Sequence, residues 1–172
     1  PLGLRSSTEA LMQAISDFPL VFADSLPAED IPGADFVGTN NDQSIASIVQ
    51  YLCHTGDPPV FLGMPQVNSN AVERMNAYKA KMIELGNEPQ FIEADSVGQS
   101  WQFEAYGHSV MDAHFSRQNH MSDTIICAND RIAIGVIRAA NKHGLFNCDL
   151  DHTSGLRIAG HDNHPLSQYM FP

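Results

Sequence analysis

Thr124-Ile125-Ile126-Cys127-Ala128-Asn129-Asp130-Arg131-Ile132-Ala133-Ile134-Gly135 is the stretch whose reading decides the fold. It opens on a short apolar run, Thr124 to Ala128, the pattern of a parallel strand buried on both faces. At Asn129-Asp130 the period changes. Ile132, Ala133, Val136, Ile137 and Ala140 then fall on one face of a helix expected from Asp130 to His143, and Gly144 stops it. A strand that passes through two polar residues into a helix is half of a βαβ unit.

The same alternation continues in both directions. Downstream, Leu156 to Gly160 reads as a further strand. Upstream lie a helix over Ser100 to Phe115, a strand over Pro89 to Glu93, and an amphipathic helix from Asn70 to Leu85 ended by Gly86. Before these come a buried strand over Pro59 to Gly63 and a helix from Asp42 to His54 carrying Ile45, Ile48, Val49 and Leu52 at helical spacing. Asp35 to Thr39 and Pro19 to Ala23 read as further strands, the latter buried, and Thr8 to Ile15 as a first helix. Repeated β-α alternation predicts an α/β fold with mostly parallel sheets and helices on both faces. The Gly63-Met64-Pro65 turn, followed by the polar stretch Gln66 to Asn70, is the expected boundary between two lobes.

Composition narrows the function classes. The chain has 172 residues, 43% hydrophobic and 17% charged, ordinary for a globular protein. Its net charge of −11 repels phosphate, so this chain is not expected to bind nucleic acid by itself. Three cysteines show no CxxC or Cys/His spacing, and none of the eight histidines falls in an HExxH pattern, so no metal is expected. No GxGxxG, P-loop or GxSxG string is present; neither a cofactor nor a catalytic residue is assigned. No apolar run reaches membrane-spanning length, and no membrane partner is expected.

Ligands of open α/β sheets bind outside the carboxyl ends of the strands. The polar residues near those ends are Arg5, Asp24, Asn40, Asn41, Asp42, Asn68, Asn129, Asp130, His161, Asp162, Asn163 and His164. Amides and carboxylates of this kind suit hydroxyl or amide groups. Arg74 stands early in its helix and could face the same cleft, and Trp101 could offer an apolar face to a sugar ring. Each has a plainer reading beside it. Asp130 is expected mainly as a helix cap, Asp42 could cap its own helix, Arg74 could be a solvated helix arginine, and Trp101 could belong to the core.

Four motifs in order resemble the lac/gal repressor family and related sugar-binding proteins. Ala128-Asn129-Asp130 with Ala133 and Gly135 resembles the family's "ANDxxAxG". Ile158-Ala159-Gly160-His161-Asp162-Asn163 resembles its "xxGxDN" strand and loop. Gly63 with Asn70-Ala71-Val72-Glu73-Arg74 and Tyr78, and Val37-Gly38-Thr39-Asn40-Asn41-Asp42 with Leu52 and Gly56, resemble two more. Ala77 stands where the family usually has Gly, and Asn40 where an acidic residue is common.

The resemblance implies a two-lobed, periplasmic-binding-protein-like fold, present in part, with an effector between the lobes. Residues 1–63 would form part of the N-terminal lobe, 64–163 the C-terminal lobe, and 164–172 the start of a crossover back; a DNA-binding headpiece would lie outside this chain. Carried over by motif, Arg74, Asn129 and Asp162 become effector contacts, with Trp101 and Asp42 more loosely aligned. The implied protein is a cytoplasmic, homodimeric transcription regulator that senses a small polar effector, a carbohydrate by family precedent, and reaches operator DNA only through the headpiece. A periplasmic sugar-binding protein of an uptake system shares the fold, and a small α/β enzyme is the rival from another class. Three unpaired cysteines favour the regulator.

Overall fold

The computed structural model describes residues 18–26, 31–94, 101–117, 122–146 and 155–170. The helix expected over Thr8 to Ile15, and Arg5, lie outside them. In chain order the elements are β1 (Val21–Ala23), β2 (Asp35–Val37), α1 (Asn41–Thr55), β3 (Val60–Leu62), α2 (Ser69–Glu84), α3 (Phe103–Ser116), β4 (Thr124–Cys127), α4 (Asp130–Lys142) and β5 (Arg157–Ala159), followed by a short 3-10 turn at Ser167–Tyr169.

β3, β4 and β5 form one parallel sheet in that order, with Val60 opposite Ile125 and Ile125 opposite Ile158. The strand expected over Pro89 to Glu93 is reduced to a single parallel bridge between Phe91 and Phe61, on the free side of β3. Pro89 within this stretch has no N–H to give a ladder, which keeps the pairing short. The spatial order is therefore Phe91, β3, β4, β5. The chain leaves β3 in one direction through α2 and returns past it through α3 to β4. Right-handed crossovers then place α2 on one face of the sheet and α3 and α4 on the other. The packing agrees: α1 lies against α2, and α3 against α4. β3 and β4, whose following connections lead to opposite sides of the sheet, flank the topological switch point.

β3 and β4 are buried along their whole length, as unbroken apolar runs in a doubly covered sheet must be. Ile45, Val49 and Leu52 of α1, Tyr78 and Met82 of α2, Met111 of α3, and Ile132 and Val136 of α4 close the core from both sides. Phe61 stacks on Tyr78 at 4.9 Å between ring centres. The Tyr78 hydroxyl shares its one hydrogen between the carbonyl oxygens of Pro59 and Gln90 and accepts from the Gln90 N–H, tying the start of β3 to the Phe91 segment. Burial pushes this phenol up to about 12, against the lowering effect of the Gln90 backbone.

α3 and α4 touch backbone to backbone. A Cβ on Gly107 would strike the Ile132 carbonyl, and one on Gly135 would strike the Glu104 carbonyl and the His108 N–H. Only glycine permits this approach at both positions.

Two expectations are corrected here. The boundary placed at Gly63 put β3 in the first lobe, but β3 is hydrogen-bonded to β4; the change of sheet falls between β2 and α1, near residues 38–40. The misplacement arose because Gly63-Met64-Pro65 breaks the hydrophobic pattern more sharply than Gly38-Thr39-Asn40 does. Next, β1 and β2 form a separate two-stranded parallel sheet, with Val21 paired to Asp35. It is not buried: Val21, Phe36 and Val37 are exposed. Periodicity reports what a strand is suited to bury, not what stands against it.

Candidate functional site

The carboxyl ends of β3 and β4 open onto a cluster of buried polar groups, and Arg74 is at its centre. Arg74 occupies the core-facing side of α2, between Ala71 and Tyr78, and is only 5% exposed. A guanidinium cannot be neutralised by burial, so its five donors need fixed acceptors. Nε donates to Asn41 Oδ1 at 2.9 Å and Nη1 to the Ala128 carbonyl at 2.8 Å. Nη1 and Nη2 meet the Asp162 carboxylate at 3.3 and 2.8 Å, a fork gripping both oxygens.

Asp162 follows β5, in the loop that begins at Gly160. It sits at φ = 103°, a left-handed conformation that aspartate adopts only when its surroundings impose it. Two contacts do so: the Arg74 fork, and His161 Nδ1 at 2.6 Å from Asp162 Oδ1. Burial raises the Asp162 carboxyl, but hydrogen bonds from His161 and Arg74, with the Arg74 charge, outweigh it and hold the group below its usual range. The side chain remains 44% exposed, so the buried cation is matched by an anion open to solvent on its far side.

A ring of hydrogen bonds closes around the pair. His161 Nε2 lies 2.8 Å from Ser44 Oγ, the Asn41 carbonyl is a second neighbour of Ser44 Oγ at 3.3 Å, and Asn41 Oδ1 accepts from Arg74. The Asn41 amide nitrogen donates in turn to Asn70 Oδ1 and Glu73 Oε2. The loop is held from below by Asp130, whose N–H donates to the His161 carbonyl and whose carboxylate accepts from the His164 N–H at 2.6 Å. Gly160 permits this, because a Cβ there would collide with the Asp130 carboxylate.

The expected residues divide as follows. Arg74 and Asp162 meet directly. Asn129 is their neighbour through Ala128, but its side chain is occupied: Oδ1 accepts the Ile132 N–H at 2.8 Å and Nδ2 points to the Met64 sulfur at 3.7 Å. Asn129, not Asp130, is thus the helix cap. Asp42 is exposed on the first turn of α1; Asn40 caps that helix, and Asn41 is the residue that reaches Arg74. A helix turns 100° per residue, so a shift of one position exchanges the inward for the outward face. Trp101 is 54% exposed and meets Phe103 edge-on, with Arg131 above the Phe103 ring and paired to Glu104. It is neither core nor in contact with Arg74. Asn41, Ser44 and His161 were missed as site residues; only proximity to a strand end marked Asn41 and His161, and nothing in the sequence marked Ser44.

Ser44, His161 and Asp162 follow the atom order of a nucleophile-base-acid triad. Asp162 Oδ1, however, is shared between His161 and Arg74, and Ser44 Oγ also points at a carbonyl of its own helix. Among the described residues, no group of three or more His, Cys, Asp or Glu side chains could hold a metal ion. A groove of about 560 Å³ lies between α1 and β5, lined by Ile48, Tyr51, Leu52 and Arg157; it does not include Arg74 or Asp162.

Fold and site together define a class: a periplasmic-binding-protein-like α/β protein with a polar ion pair at the switch point of its larger sheet. Solved structures share this fold. The chain superimposes on a LacI transcriptional regulator from a Rhodococcus species with a TM-score of 0.71 at 19% identity, covering 96% of this chain and 57% of that one. The transcriptional repressor ascG of Escherichia coli gives 0.69 at 17% identity, over 95% of this chain and 57% of that one. A periplasmic ribose ABC transporter structure from Conexibacter woesei gives 0.73 at 18% identity, over 94% and 52%. The chain thus spans a little over half the length of the structures it matches. No protein-family model matches the sequence, and no curated protein matches it either. Among the described residues no helix is long and apolar enough to cross a membrane.

Proposed function

We propose that this chain is the effector-binding region of a transcription regulator of the lac/gal repressor type. One observation carries the reading: a buried arginine fork, at the switch point, on an aspartate whose outer side faces solvent. Such a pair presents fixed charge to an incoming hydroxyl without the entropy cost of ordering it on binding. A sugar, with vicinal hydroxyls able to donate to Asp162 and accept from Arg74, fits that chemistry. Bound effector would favour one arrangement of the two lobes, and a DNA headpiece outside this chain would read it through a homodimer in the cytoplasm. Couplings of this kind are about 1–3 kcal/mol.

The regulator is favoured over the periplasmic sugar-binding protein by the free thiols of Cys53 and Cys127, since unpaired cysteines are the commoner state in a reducing compartment. The reading frame upstream of Pro1 separates the two: a helix-turn-helix supports the regulator, and a secretory signal overturns it.

The ligand is sought by thermal shift with monosaccharides, disaccharides, sugar phosphates and nucleobases. A ligand at one hundred times its Kd stabilises by about 2.7 kcal/mol, a rise in Tm of roughly 5–10 °C for a chain of this size. Asp162→Ala is expected to abolish the rise. A rise that survives the substitution would place the ligand elsewhere.

A further inference from the structure

We propose that His161 is the positioning residue of the polar pair and a proton-responsive joint within it, a role that rests on Arg74 and Asp162 being the ligand grip. Asp162, held ionised by Arg74, can only accept hydrogen bonds. His161 Nδ1, 2.6 Å away, must therefore carry a hydrogen. In the neutral ring Nε2 is then an acceptor, and the Ser44 hydroxyl at 2.8 Å must donate to it. In the protonated ring Nε2 donates instead. Ser44 then turns its hydrogen to its second neighbour, the Asn41 carbonyl at 3.3 Å.

Both states leave every polar atom of the ring paired, so neither carries the cost of an unsatisfied buried group. Adding the proton reverses one hydroxyl and draws on the residue whose side chain holds Arg74 Nε. It also puts a second cation on a carboxylate already gripped by the first. The other charged groups around the joint are Asp130 of α4, bound to the His161 carbonyl and the His164 N–H, and Glu73 of α2, on the far side of Asn41. Neither lies between the ring and Asp162. The grip on a hydroxylated ligand should therefore loosen on acidification.

Long-range nitrogen-proton spectra of the 172-residue chain, labelled with nitrogen-15 at His and Arg, test this without a ligand. They are recorded from about pH 8 down to about pH 5. His161→Gln identifies the His161 signals by their loss, and Ser44→Ala by their displacement. Expected are the Nδ1–H tautomer at the alkaline end, protonation on acidification, and an Arg74 Nε–H resonance that moves with the same midpoint. In Ser44→Ala that Arg74 movement should shrink. An Nε2–H tautomer, a ring that stays neutral throughout, or an Arg74 signal that ignores the His161 titration overturns the proposal. A joint that behaves as described, in a chain that no sugar stabilises, supports the joint and counts only against the ligand reading.

Discussion

Arg74 is the residue on which the most depends, and its partner carries an unusual backbone. At φ = 103° Asp162 is in a region natural to glycine. Asp162→Ala loses the ion pair and keeps the strain; Asp162→Gly loses the pair and releases it. The glycine variant should be the more stable of the two by about 1 kcal/mol in urea unfolding, the reverse of the usual order. Asp162→Asn should cost about 1–2 kcal/mol, well under the penalty for breaking a fully buried pair, because solvent already screens one side of the carboxylate. The pH dependence has a definite sign. The folded Asp162 is held below its ordinary value, so its contribution is complete above the ordinary aspartate range near about 4 and is lost as pH falls through the lower folded value. Wild type and Asp162→Asn should therefore converge in stability in strong acid, as urea melts at several pH values would record. Arg74 and Asp162 were legible before any coordinates because the motifs fix both positions. Ser44 was not: a mid-helix serine has no signature, and its role comes only from the return of the chain 117 residues later. His161 hid beside the aspartate it positions.

The helices carry lessons of their own. Asn129 caps α4, so Asn129→Ala should cost about 1 kcal/mol whether or not any ligand binds. Asn129→Asp preserves the cap and should recover most of that loss in thermal melts. The α3–α4 contact is more severe. Gly135→Ala must push apart two backbones rather than one flexible side chain, and should cost about 2–3 kcal/mol. A cost under about 0.5 kcal/mol would mean that the helices do not approach so closely. Long amphipathic helices were readable from periodicity: Asn70 to Leu85 was expected and Ser69–Glu84 is found. The face of a single residue in the first helical turn was not, which is why Asn41 and Asp42 exchanged roles. Five of the runs expected as strands are found as β1 to β5, each a few residues long. The stretch around Phe91 is reduced to one bridge, because Pro89 undercuts the pairing its composition suggests.

For the molecule as a whole, the alternation of strands and helices makes the α/β class legible, while the Gly63-Met64-Pro65 turn marks the end of β3 and not a change of sheet. The switch point explains why the polar cluster lies where it does: the connections after β3 and β4 run to opposite sides of the sheet, the strands' carboxyl ends leave a crevice, and α2 delivers Arg74 into it. The smaller sheet is tied to this crevice at the end of β1, where Asn70 Nδ2 donates to the Asp24 carbonyl at 3.2 Å. The most direct test of the site is chemical-shift mapping of the labelled chain with whichever sugar the thermal screen identifies. The largest shifts should fall on Arg74 Nε–H, Asn41 and the backbone from Gly160 to Asn163. Shifts confined to Ser47, Ile48, Tyr51 and Arg157, in the groove between α1 and β5, with Arg74 unmoved, would contradict it.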